Sequence, residues 1–465
     1  SAYTLEITPY KVSDVEETID ALAEIIDITQ RDRRRFKRLR EDSRNFDSLP
    51  IRSRLTDQEV AKFTAQRYRF PGVDVKARLF RSYPMGETGA HIIGYIGRIN
   101  QREKERIDDS DDAANYRGTE YIGKTGVEAS YEKELHGQTG VERMETSAGG
   151  HAVRKLSSAP ATPGESVVLS IDIKLQKMVE ELYGERRGVA IAIDPRSGEL
   201  LTMVSKPTYD PNLFVEGIDQ DSWKALNESI DRPLLNRAMR GTYPTGSTYK
   251  PFMGLAGLET GKRTPSTIVQ DGGSWTFGGH TFRSGHALGP VDLNRAIQHS
   301  SNVYFYTLAN EMGVDAIHDF MKPLGFGQIT GIDLPGEVRG VLPSTTWKRE
   351  TYKRPEQKKW FAGETISLGI GQGYNNFTIL QLTHALATLV DNGNSRTPHV
   401  GKALIDPVSA IRHPIDMPPP VNLGYKQSNV DAVKRGMVSV VTGGTGRGSF
   451  GNARYSAGGK TGTAQ

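Results

Sequence analysis

The chain has 465 residues, 36% hydrophobic and 25% charged, too long for one ordinary core and too apolar for a disordered protein. Its 59 basic and 55 acidic residues leave a formal charge of +4, a balance too even to argue for nucleic acid. There is no cysteine, which excludes disulfides, thiolate catalysis and cysteine-held zinc.

No apolar run in the sequence reaches the ~18–20 residues that span a membrane, and no signal peptide is evident. The chain opens at Ser1, not Met, directly onto strand-like AYTLEIT, which reads as a fragment and leaves a removed anchor open. In SDVEETIDALAEIIDI, Val15, Ile19, Leu22, Ile25 and Ile26 recur at helical spacing. Ser13 and Glu16 stand there as a capping box. The basic run RDRRRFKRLR (31–40) reads as a solvated helix face. From Ile51 to Met144 the texture changes to short segments broken by Gly and Pro, such as FPGVDVKARLFRSYPMGE and HIIGYIGRI. REKERIDDSDDAANY reads as an exposed charged insertion.

GTEYIGKT (118–125) fits G-x-x-x-x-G-K-[ST], the phosphate-cradling loop. That loop needs a buried strand before it and a helix after it, so that N–H groups converge on the phosphates. Acidic and polar residues precede it here, and no apolar strand ending in a magnesium-binding Asp stands out. The nucleotide-hydrolase reading is therefore set aside.

KLSSAPATPGE, rich in Pro, Ser and Ala, places a boundary near residue 160 and divides the chain into 1–160 and 161–465. Beyond it come VVLSID, amphipathic IKLQKMVEELYGE, and GVAIAIDPRSGELLTMVS. The last reads as two strands around Asp194–Gly198. Strands and helices mix without a regular βαβ rhythm, which predicts an α+β layer built on an antiparallel sheet.

Three short motifs then occur in order. RGTYPTGSTYKPFMGLAGLETG holds Ser247-Thr248-Tyr249-Lys250, an S-x-x-K in which a turn set by Pro244 and Gly246 leads into a buried helix ending at Gly261. Serine and lysine three apart at a helix start share one face. An amine whose pKa is lowered by burial or a nearby cation can take the serine proton. In AIQHSSNVYFYTLANEMG, the polar Ser300-Ser301-Asn302 interrupts an apolar helical pattern, which by itself means no more than a cap or a loop. Lys460-Thr461-Gly462-Thr463 follows ARYSAGG, read as a strand whose glycine lets a ligand lie against it. Each motif is weak alone; the ordered triple is specific.

S-x-x-K, S-x-N and K-T-G in that order are the signature of the serine penicillin-recognising enzymes. From about Gly164 onward, the chain resembles the transpeptidase domain of a class B penicillin-binding protein. GETISLGIGQGY (363–374), LQLTHALATLVDNG and the VAIAIDPRSGELL hairpin carry the same likeness. LEITPYKV, RSYPMGETGAHIIGYIG and YRGTEYIGKTGVEASYEKELHGQTG resemble the amino-terminal pedestal of the elongation-type branch, the penicillin-binding protein 2 group. The resemblance implies a mixed α/β pedestal, elongated and dimerisation- or linker-like, before the transpeptidase domain. In it the I-G-K-x-G-x-E segment of Gly123, Lys124, Gly126 and Glu128 has a structural role.

The resemblance also implies the chemistry. Ser247 attacks the carbonyl between the two D-alanines of a peptidoglycan stem peptide, and an amine from a neighbouring stem takes the acyl group. Lys250 is the general base, Ser300 relays a proton to the leaving amine, and Asn302 holds Lys250 and the substrate amide. Lys460, Thr461, Gly462 and Thr463 bind the substrate carboxylate and backbone. The N–H groups of Ser247 and Thr463 form an oxyanion hole worth about 3 kcal/mol per donor. β-Lactams acylate Ser247. No cofactor is expected. The implied partners are a Rod-type lipid II glycosyltransferase and an MreC-type organiser; the implied location is the inner membrane, with the catalytic domain in the periplasm.

The chain departs from the family pattern in three places. Thr245 stands where proline is commoner. Asp271 and His286 lie where some relatives hold zinc, but Ser284 and Ser301 occupy places where other ligands are expected, so no zinc is expected. The chain ends at Gln465, before the strand and helix that follow K-T-G in the family, which reads as truncation. Two rival functions are a β-lactamase, which uses the same motifs but is disfavoured by the pedestal and by the lack of a dedicated E-x-x-x-N element, and a non-enzymatic morphogenesis scaffold, disfavoured by the intact Ser247, Lys250, Asn302 and Lys460.

Overall fold

A computed structural model describes residues 2–43, 47–150 and 152–465. The chain divides into two compact units with interleaved segments. Ser1–Pro84, Arg98–Tyr121 and His136–Gly164 make the first; Met85–Gly97, Ile122–Leu135 and Glu165–Gln465 make the second. Among the described residues no helix is long and apolar enough to cross a membrane.

In the first unit Ala2–Ile7 is the middle strand of an antiparallel sheet, between Leu49–Leu55 and Val73–Arg78. Leu5, Ile7, Ile51 and Val73 are buried together with Ile19, Leu22, Phe36 and Phe63 from helices Val15–Ala23, Gln30–Asp42 and Asp57–Ala65. The first helix cap is one residue away from the expected one. Asp14, not Ser13, closes it, its carboxylate accepting Glu17 N at 3.0 Å. A carboxylate supplies negative charge as well as an acceptor at the positive helix end. The basic run is a solvated helix face as expected, with Phe36 buried and Arg31, Arg34, Lys37, Arg38 and Arg40 exposed. The charged stretch that reads as an insertion contains the helix Gln101–Asp108, closed by a reciprocal Asn100–Glu103 capping box. Part of the Pro-rich stretch near 160 is strand, since Ala152–Ala159 pairs with Val141–Thr146.

In the second unit the strands Gly188–Ile193 and Leu200–Lys206 form the expected hairpin. Its turn closes through Gly198 N to Asp194 O at 2.8 Å. Ser166–Leu169 pairs with Gly401–Ile405, which also pairs with Arg412–Pro414. Each of these ladders is antiparallel. The core beside them is helical. Phe252, Met253, Leu255, Ile297, Phe305, Leu308 and Val433 are all buried, on helices Lys250–Glu259, Leu293–Gln298, Asn302–Met312 and Gln427–Gly443.

The GTEYIGKT stretch runs through the strand Tyr121–Gly123 into a helix of five residues, Gly126–Ser130, not the long helix of a phosphate loop. Its glycines serve backbone contact. A Cβ on Gly126 would lie 2.5 Å from Ile92 O, and one on Gly94 would lie 1.9 Å from Thr125 O. Tyr131, just downstream, donates its hydroxyl at 2.5 Å to Asp333, whose carboxylate also accepts Val400 N and Gly401 N at 2.8 Å each.

Candidate active site

Gly246, with φ +58°, turns the chain into a single 3-10 turn, Gly246–Tyr249, which runs straight into the helix Lys250–Glu259. A Cβ at Gly246 would lie 2.4 Å from Thr463 O, so only glycine allows the two backbones to meet there. Thr245 has φ −80°, within the range proline fixes. Its carbonyl accepts Thr248 Oγ1 at 2.7 Å. The turn therefore keeps a proline-compatible shape with threonine in that place.

Lys250 is wholly buried. Its Nζ donates to Ser300 O at 2.9 Å, Ser300 Oγ at 2.9 Å and Asn302 Oδ1 at 2.6 Å, and lies 5.7 Å from the centre of the Phe305 ring. Burial depresses its pKa well below 10.5; the nearby Lys460 charge depresses it further, and Asp271 opposes the shift. Both effects favour the neutral amine. The Ser247 hydroxyl makes no hydrogen bond to Lys250, whose hydrogen bonds among the described residues go to Ser300 and Asn302.

Ser300 sits at φ +58°, a left-handed conformation costing a non-glycine residue about 1 kcal/mol or more. It places the Ser300 carbonyl and hydroxyl together on Lys250. Ser301 then caps the helix Asn302–Met312, accepting Tyr304 N at 3.2 Å, so the polar triplet is the helix start that its composition allows. Ser301 also donates to buried Asp271 at 2.7 Å, and Asp271 Oδ1 accepts Gly273 N at 2.9 Å. Ser284 donates to His286 O at 3.0 Å.

Lys460 Nζ donates to Ser300 Oγ at 3.1 Å and to Thr461 O at 2.8 Å. Burial brings its pKa down to about 8. Lys460, Ser300, Lys250 and Asn302 thus form one continuous hydrogen-bonded chain. The Thr461 hydroxyl pairs with Thr445 at 2.7 Å. Gly462 lies on the nucleophile turn, where a Cβ would be 3.0 Å from Thr248 N. The Thr463 backbone follows the same turn, its N 3.3 Å from the position of a Gly246 Cβ.

One expectation is corrected. The K-T-G segment and the residues before it form no strand. A strand exists only through a ladder partner, and here Gly459 N bonds instead to Met437 O of a helix at 3.0 Å.

Sequence reasoning undervalued the segment Phe361–Tyr374. Gly371 O accepts Gly246 N at 3.1 Å, and Gln372 Nε2 donates to Thr463 O at 3.3 Å. GETISLGIGQGY stood out only as a family likeness, because its contacts join residues more than 90 positions apart.

The family model "Penicillin binding protein transpeptidase domain" matches residues 188–465, and "Penicillin-binding Protein dimerisation domain" matches 1–169. The Haemophilus influenzae protein "Peptidoglycan D,D-transpeptidase MrdA" is 40% identical over all of this chain and 71% of its own length. A crystal structure of Pseudomonas aeruginosa PBP2 in complex with WCK 5153 is 40% identical, with a TM-score of 0.73 over 83% of this chain and 80% of that one. The Helicobacter pylori complex between PBP2 and MreC is 27% identical, with a TM-score of 0.84 over 100% of this chain and 84% of that one.

Proposed function

Because the chain belongs to the penicillin-binding protein transpeptidase family, in its class B, PBP2-type branch, we propose that it is a peptidoglycan D,D-transpeptidase of cell elongation working through a Ser247 acyl-enzyme. The observation that carries this reading is the Lys460–Ser300–Lys250–Asn302 chain, gathered at the start of the buried helix that Ser247 precedes.

A neutral Lys250 has two N–H donors and one lone pair. The donors serve Asn302 Oδ1 and the Ser300 carbonyl, leaving the Ser300 hydroxyl beside Nζ to pass protons; the lone pair takes the Ser247 proton as Oγ attacks the carbonyl between the terminal D-alanines. The N–H groups of Ser247 and Thr463 hold the oxyanion. The C–N bond then breaks, and the leaving D-alanine amine takes a proton through Ser300. The amine of a second stem attacks the ester, returns its proton along the same path, and completes the cross-link. Lys460 and Thr461 receive the substrate carboxylate, and Gly462 leaves room for its backbone. A β-lactam presents a strained amide at the same place and stops at the acyl-enzyme.

Residues 1–160 serve as the pedestal and 161–465 as the transpeptidase domain, except that Met85–Gly97 and Ile122–Leu135 pack within the second compact unit and residues up to Gly164 within the first. An MreC-type organiser and a Rod-type glycosyltransferase are the partners; the H. pylori PBP2–MreC complex supports the first. The location proposed is the inner membrane with a periplasmic catalytic domain, the anchor lying outside this chain. No zinc is required. Asp271 is bonded to Ser301 and Gly273, and serine hydroxyls are poor zinc ligands. Stoichiometric zinc in the purified protein would contradict that point.

Labelling with a fluorescent penicillin tests the reading. Wild type is labelled and Ser247→Ala is not. Unlabelled, well-folded wild type would favour a scaffold, and steady turnover in place of a burst and stop would favour a β-lactamase.

A further inference from the structure

We propose that Gln372 is a positioning residue for the oxyanion hole: its amide holds Thr463 against the Ser247 turn, from a segment fixed by the pair of buried Lys348 and half-buried Glu364. The proposal rests on the transpeptidase reading above.

Residues 361–374 touch all three motifs. Gly369 lies on the S-x-N helix, where a Cβ would be 2.2 Å from Phe305 O. Gly371 abuts the S-x-x-K turn, where a Cβ would be 2.1 Å from Gly246 O, at φ +73°. Gln372 reaches the K-T-G-T segment, donating Nε2 to Thr463 O at 3.3 Å. Its own N–H bonds to Ser367 O at 3.0 Å, so the side chain leaves from a tied backbone. One short segment therefore sets the distance between Ser247 and Thr463, whose N–H groups must converge on one oxygen.

The segment is held at both ends by a single ion pair. Lys348 is 3% exposed. Its Nζ bonds both Glu364 oxygens, at 2.5 and 2.6 Å. The rings of Trp360, Phe361 and Tyr374 stand 5.6, 5.3 and 5.7 Å from it, within cation–π range. Glu364 also accepts Phe361 N and the Tyr374 hydroxyl, each at 2.9 Å. Residues 361 and 374 are thus fixed to one carboxylate. With its backbone anchored, the amide of Gln372 can restrain Thr463.

Burst kinetics with a fluorescent penicillin separate the binding constant from the acylation rate constant. In Gln372→Ala the rate constant falls about tenfold, part of what loss of a whole oxyanion donor costs; the binding constant and the melting temperature stay as in wild type. Gln372→Met keeps the bulk but loses the donor, and falls equally. Wild-type rates in either variant overturn the proposal, as does a loss confined to binding. If wild type is not labelled at all, the transpeptidase reading fails instead; if wild type is labelled and both variants acylate normally, only the role of Gln372 falls.

Discussion

Replacing Lys460 with glutamine tests the electrostatics of the site. The two lysine nitrogens share Ser300 Oγ, at 2.9 and 3.1 Å, so they are at most 6.0 Å apart. At an effective dielectric of ~20, two unit charges at that distance repel by about 3 kcal/mol. The repulsion acts only on the protonated form of Lys250 and is one cause of its depressed pKa. Removing the Lys460 charge makes Lys250 easier to protonate, raising its pKa. The acylating base must be neutral, so the acidic limb of the acylation-rate profile moves to higher pH in Lys460→Gln. The profile is read by stopped-flow labelling with a fluorescent penicillin. The overall rate also falls, because the substrate carboxylate loses its cation; the position of the limb is the diagnostic. A limb that stays in place, or moves to lower pH, would refute the coupling.

Asn302→Ala removes the shortest acceptor of the buried Lys250 and lowers the acylation rate by about 10- to 100-fold, because the ammonium formed as Lys250 takes the Ser247 proton loses a hydrogen bond worth ~1.5–3 kcal/mol; single-turnover labelling measures it. Gly369→Ala brings a Cβ within 2.2 Å of Phe305 O and costs about 1–3 kcal/mol by overpacking, seen as a lowered midpoint of urea unfolding. Burial pushes the Glu364 pKa up, but Lys348, Phe361 N and Tyr374 pull it down to a net value below 4.5. Its folded pKa being depressed, the pair stabilises the fold above pH ~4.5 and that contribution is lost as pH falls through the folded value; Glu364→Gln flattens this acid limb in a melting-temperature series.

The motifs were legible because each is local: four residues set Ser247 one turn before Lys250, and Asn302 lies two residues beyond Ser300. The Asp194–Gly198 hairpin was legible for the same reason, its turn chemistry being written in five residues. What could not be read depends on distant partners. The K-T-G segment has the composition of a strand but bonds to a helix, and no local pattern specifies a ladder partner. The first helix cap shifted from Ser13 to Asp14 because serine and aspartate cap almost equally well, so composition does not decide between neighbouring polar residues. The Lys348–Glu364 pair spans 16 positions, and Gln372 and Thr463, 91 positions apart, meet only in three dimensions. The left-handed Ser300 had no signal at all, since serine has no preference for that region.

Everything in the proposed mechanism depends on Ser247 being the residue acylated. Incubating the chain with benzylpenicillin and recording intact and peptide mass spectra tests it directly. Wild type gains one drug mass, on the peptide holding Ser247, stable over hours and absent from Ser247→Ala. An adduct on another residue, or on Ser247→Ala, or none on folded wild type, would contradict it.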